Sequence, residues 1–232
     1  MTDEDDINII IDFSHKFSLI RCLGDAMLPV RLSLRADVFA SETAQEIDFD
    51  ITFAKIKFWF ETVISRSVVF ARTNNNALSM LIGEGGQPRL ANNLMLTPFE
   101  PTDEHLAVLF QSKMGALSGG NIEFGGVRIE AEGAGLVFTY VGDWRDDLPA
   151  MEDWFNKKPY YFEEPWWCRD DASTLDVIGD GADPTQPPAW AYKLDFIANA
   201  IRPKVPESEK NEKKEKPRGF RPKVISGGKE TK

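Results

Sequence analysis

Apolar and polar positions alternate near the start of the chain. In VRLSLRADVF, residues 30–39, Val30, Leu32, Leu34, Ala36 and Val38 fall on one side, and Arg31, Ser33, Arg35 and Asp37 on the other. That period of two predicts a half-buried β-strand. INIIIDFSHKFSLI, residues 7–20, predicts another strand before it. After the polar connection ASETAQEIDFD the step lengthens: Ile56, Trp59, Phe60, Val63 and Ile64 recur every three or four residues, predicting a first helix over 51–66 with Asp50 as its N-cap. Residues 73–98 have no clean period. NNN, GEGG and NN punctuate them, as expected for a long excursion with a short ordered piece at its centre.

A second helix begins at Thr102, which can cap it, and Asp103 and Glu104 suit the positive end of its dipole. Leu106, Leu109, Phe110, Met114 and Leu117 form its apolar stripe, and Gly119 and Gly120 stop it. GGVRIEAE and GLVFTYVGDW predict two more strands around a turn at Gly133–Gly135. The order strand, strand, helix, helix, strand, strand predicts an α+β fold, with a four-stranded antiparallel sheet and both helices on one face. The other sheet face is then either solvated or lines a closed multimeric barrel.

Three regions follow: a domain over 1–142, an aromatic and acidic extension over 143–202 that packs on it, and a basic tail over 203–232. The extension holds Trp144, Trp154, Trp166, Trp167 and Trp190, with Tyr160, Tyr161, Phe162 and Tyr192. Only its residues 192–201 look helical, and packing or subunit contact is the expected use of its aromatics. The tail carries ten Lys or Arg and five Glu, a net +5, within a chain of net −10. Its Pro, Gly, Glu and Lys content predicts disorder, with Arg218–Lys223 its most adhesive stretch.

Charge and rare residues narrow the function. A net −10 argues against a general nucleic-acid surface and leaves only the tail for weak contact. Two histidines, His15 and His105, and two cysteines, Cys22 and Cys168, exclude a disulfide scaffold, a zinc-finger array and a three-histidine zinc site. The N-terminus is acidic where a signal peptide is basic, and no apolar run reaches the roughly 18 residues of a membrane span. A cytoplasmic protein with reduced thiols is expected. Asp176, Asp180 and Asp183 are spaced like part of a calcium loop but lack its twelfth-position Glu. GEGG and SGG have no P-loop lysine after them. His105, inside the second helix, reads as structural.

Four short pieces, FSHKF, IDFDITFAKIK, PTDEHLAVLF and VRIEAEGAGLVFTY, occur in an order that resembles the 6-pyruvoyl-tetrahydropterin synthase and 6-carboxytetrahydropterin synthase family of the tunnelling fold. The resemblance covers about residues 7–142, and PTDEHLAVLF is its most specific piece. It implies a homo-oligomer whose sheets close into barrels, with ligand sites between subunits. It also implies a zinc held by three histidines, which acts as a Lewis acid. His15 matches the first ligand. The second-strand pair is absent, because CLGDAMLPVRLSL places Met27, Leu28 and Val30 there. SRSVVFARTN lacks the family's Asp–His relay, and Cys22 sits near the family's catalytic cysteine without a histidine beside it.

The ring-holding residues match better. They are Thr102, Asp103 and Glu104 at the second helix, then Glu132, or Glu130 if the register differs by two. A carboxylate accepts paired hydrogen bonds from the N–H and NH₂ of a pterin or guanine edge. The resemblance therefore implies a zinc-less, cofactor-free protein that binds a pterin- or purine-like heterocycle. Catalysis is not expected; if present, it would be of the synthase kind. The alternative is an interaction protein that uses the fold as an oligomeric scaffold, with the extension and tail contacting partners.

Overall fold

A computed structural model describes residues 9–40, 44–77, 93–120, 122–154, 162–176 and 187–202. Strands β1 (Ile9–Leu23) and β2 (Ala26–Ala40) form a long antiparallel hairpin that turns at Gly24, whose φ of 55° suits glycine. β2 pairs with β5 (Ile122–Ala131), and β5 with β6 (Val137–Tyr140), both antiparallel. Two short strands, β3 (Val68–Ala71) and β4 (Leu94–Thr97), run parallel beyond β1. The sheet order is β4-β3-β1-β2-β5-β6. The fold is α+β, but its sheet is mixed and six-stranded rather than four-stranded and antiparallel. VVFA and LMLT are buried at all four positions, so neither shows the alternation that marks a strand. The stretch between them supplies the crossover a parallel pair needs; its residues 78–92, with the ordered centre expected there, lie outside the described residues.

Helix α1 (Glu46–Phe58) starts earlier than its apolar pattern predicts and continues as a π-helical turn over Trp59–Ile64. Gln45, not Asp50, is the N-cap. Its backbone N–H donates to Asp48 Oδ2 at 3.0 Å in a reciprocal capping box, and this local exchange of bonds outweighs the later aspartate. Helix α2 (Asp103–Ser118) begins at Thr102, whose hydroxyl accepts from His105 N at 3.4 Å. It ends at Gly119 with φ 70°.

Both helices cover one sheet face. The inward row of β1 and β2, including Phe13, Phe17, Leu32, Leu34 and Val38, is buried. Phe17 lies 4.9 Å from Phe60 and 5.6 Å from Phe110, ring centre to ring centre, which joins sheet, π turn and α2. The outward row, Asp12, Ser14, Lys16, Ser18, Arg31 and Arg35, is exposed. On that face Arg128 clamps Asp37 through two bonds of 2.7 and 2.9 Å. A β-bulge makes the clamp possible. β2 advances two residues from Arg35 to Asp37 while β5 goes three, from Arg128 to Gly125.

The extension forms two single turns, α3 (Trp144–Asp147) and α4 (Met151–Trp154), a 3₁₀ turn over Trp166–Cys168, and helix α5 (Asp195–Ile201). Residues up to Ile201 make one compact unit. Trp154, Trp166 and Trp167 are fully buried, and Trp166 stacks on Trp59 at 6.4 Å. Tyr160, Tyr161 and the tail over 203–232 lie outside the described residues. Among the described residues no helix is long and apolar enough to cross a membrane.

Candidate functional site

A groove crosses the outward sheet face at the β1–β2 hairpin end. Ser18 pairs with Arg31 across β1 and β2. Arg31 O accepts from Glu132 N at 2.9 Å, and Ser18 O accepts from Arg66 N at 2.8 Å. Arg66, Ser18, Arg31 and Glu132 therefore stand in one row, about 14 Å long at roughly 4.8 Å per strand spacing. An open groove of ≈ 630 Å³ lies on this row, with Ile20 and Pro29 as apolar neighbours. Glu132 Oε2 is 3.6 Å from Arg31 Nη1, and both side chains are more than half exposed, so this ion pair is weak. Arg66 holds φ 70°, a left-handed conformation that costs a non-glycine residue on the order of 1 kcal/mol. Glu130 is exposed on the same face, between Ser33 and Val137, one step from the groove.

The other sequence-predicted residues lie elsewhere. Thr102 caps α2. Asp103 accepts from Arg21 at 2.6 Å, and Glu104 is exposed. Among the described residues no hydrogen bond or ion pair joins Thr102, Asp103 or Glu104 to Glu130 or Glu132. His105 Nδ1 sits 2.8 Å from Glu100 O and 3.1 Å from Thr102 Oγ1, in a structural role. Cys22 is buried, and burial, with the Glu100 carboxylate second, pushes its thiol pKa up, which disfavours the nucleophilic thiolate.

The residues around His15 do not fit zinc. His15 faces the helices, with its ring 5.5 Å from that of Phe60 and Leu34 opposite it on β2. Met27 and Leu28 oppose Cys22 and Arg21. Thioether and aliphatic groups do not complete a Zn²⁺ shell. Burial lowers the His15 pKa, opposed by Glu61. Among the described residues no group of three His, Cys, Asp or Glu could hold a metal. Asp176, the described member of the calcium-like spacing, is committed to protein donors: Trp154 Nε1 and Trp166 N, each at 2.9 Å, and Arg169. Asp180 and Asp183 lie outside the described residues.

One cluster goes unnoticed at the sequence level. Lys113, on α2, is fully buried. Its Nζ donates to Trp166 O at 2.9 Å and Arg169 O at 2.8 Å, and lies 3.7 Å from Asp171. Arg169 also bonds Asp171 at 3.2 Å and Ser173 at 2.6 Å. Burial drives the Lys113 pKa down to about 7, against the pull of Asp171. Burial would raise Asp171, but Lys113 and Arg169 outweigh it and hold that carboxyl below its usual range. Burial raises Asp176. The signal was present: Lys113 sits three residues after Phe110 and four before Leu117, inside the apolar stripe of α2.

No protein-family model matches the chain, and no curated protein matches it.

Proposed function

We propose that the chain is a divergent, zinc-less relative of the pterin synthases of the tunnelling fold, and that it binds a pterin- or purine-like heterocycle between subunits. The observation that carries this reading is Glu132 on the wall of a groove large enough for a small ligand, beside apolar Ile20 and Pro29. Its exposed carboxylate is free to exchange Arg31 for the N–H and NH₂ of a ring edge. Thr102, Asp103 and Glu104 join such a site only from a second copy. Assembly through sheet edges supplies one: among the described residues β6 is an edge strand, and β1 pairs with β3 at Ile20 and Arg21 and not along its N-terminal half. Exposed Leu136, Val137 and Val141 flank or lie on β6.

Melting curves with neopterin, guanine and biopterin test the reading, because a ligand bound to the native state raises the midpoint. The expected result is a rise with at least one of them that Glu132→Ala abolishes. No rise with any, or an equal rise in Glu132→Ala, overturns it. The scaffold reading is favoured by one observation: Thr102 and Asp103 are already engaged within the chain. A flat melting response from a stable oligomer selects it.

A further inference from the structure

The β4 edge of the sheet does not face solvent as an unpaired strand. Alternate residues of β4 point away from β3, and the extension takes their backbone groups. Leu96 N donates to Thr174 O at 3.0 Å, Trp166 Nε1 donates to Leu96 O at 2.9 Å, and Thr174 Oγ1 donates to Leu94 O at 2.5 Å. The same segment is held from its far side, where Ala172 N donates to Tyr192 O at 2.9 Å and Asp171 bridges Lys193. Its third attachment is Lys113, whose two carbonyl acceptors, Trp166 O and Arg169 O, and whose nearest carboxylate, Asp171, all belong to the extension. The body thus commits a buried cation from its central helix to a segment that also covers its sheet edge.

The geometry points to a strap: residues 165–176 occupy the β4 edge in cis, Lys113 is the lock, and release of the strap opens β4 to pair with β4 of a second copy. Two kinds of bond support this division of labour. Removing one partner of a buried ionic cluster leaves the other charge uncompensated, so loss of Lys113 beside buried Asp171 loosens the segment. A bare strand edge is a template for another chain. Among the described residues, cis coverage of β4 leaves β6 and the N-terminal half of β1 as the sheet edges for assembly. The strap does not depend on the heterocycle reading.

Native-state hydrogen exchange and light scattering on the full chain, wild type and Lys113→Met, test this. In the wild type, the Leu96 amide is expected to exchange through a smaller opening than the Ile129 amide in the sheet centre. In Lys113→Met, Leu96 is expected to exchange about tenfold faster with Ile129 unchanged, the size of effect that losing one or two net hydrogen bonds produces. The mass of the variant is then expected to grow with concentration while the wild-type mass stays fixed. Equal openings at Leu96 and Ile129 in the wild type overturn the strap, and that result stands even where the variant fails to fold. Unchanged Leu96 exchange in a folded variant removes Lys113 as the lock. Faster Leu96 exchange at the wild-type mass removes the guarded edge.

Discussion

Lys113 shows how one side chain changes meaning with its surroundings. Its charge is disfavoured by complete burial, and its pKa near 7 lies well below the roughly 10.4 of a free lysine. Between those values the unfolded chain keeps a proton that the folded chain has shed, so stability rises with pH across that window. Urea unfolding at about pH 7 and about pH 8.5 is expected to show a higher free energy at the upper pH, and Lys113→Met is expected to flatten that rise. Cys168, which burial pushes up to about 11, opposes the trend only above its ordinary value of 9.0. The sequence offered a lysine on an apolar stripe as a clue. What the stripe could not reveal was the acceptor set, because Trp166 O, Arg169 O and Asp171 come from a segment more than fifty residues later. Glu132 is the opposite case. Its place after the β5 pattern was legible from alternation alone, but Arg66 at the far end of the same groove was not, since the row joins them only through β1 and β2.

Among the elements, the ones read correctly carry their signals locally. Thr102 and Gly119 bracket α2 as expected because a cap and a left-handed stop each need only their own neighbours. The strands β3 and β4 escaped because burial on both faces erases alternation. The bulge in β5 combines both kinds of information. Gly126 has φ 47°, and a Cβ there would lie 2.1 Å from Asp37 Oδ2, inside the clamp with Arg128. Gly126→Ala is therefore expected to cost about 2–3 kcal/mol through backbone strain and loss of the clamp. Thr102→Ala, which removes one capping acceptor, is expected to cost about 1 kcal/mol. Denaturant midpoints rank the two, and a Thr102→Ala loss that exceeds the Gly126→Ala loss would reject the account of the bulge.

For the whole molecule, the extension belongs with the body in one compact unit that ends at Ile201. A body ending at 142 would lose the groups that cover β4, the partners of Lys113, and three fully buried tryptophans. A chain truncated after Gly142 is expected to lose cooperative unfolding, whereas one truncated after Arg202 is expected to melt within about 2 °C of the full chain. Calorimetry of the two truncations checks this. Sequence patterning points to an aromatic extension that packs on the body but not to the elements it meets there, because aromatic content reports how much surface is buried and not against what.

The arrangement of the tryptophans has an optical consequence. Trp59, Trp154, Trp166 and Trp167 form one chain of rings, with centre-to-centre distances of 6.4 Å from Trp59 to Trp166, 5.6 Å from Trp166 to Trp167 and 5.0 Å from Trp167 to Trp154. None of them lines the groove beside Glu132. Intrinsic emission is thus a gauge of how the extension seats on α2, while far-ultraviolet ellipticity follows the helices and sheet. A strap that opens early makes the two signals part company along a denaturant titration, with the emission change leading.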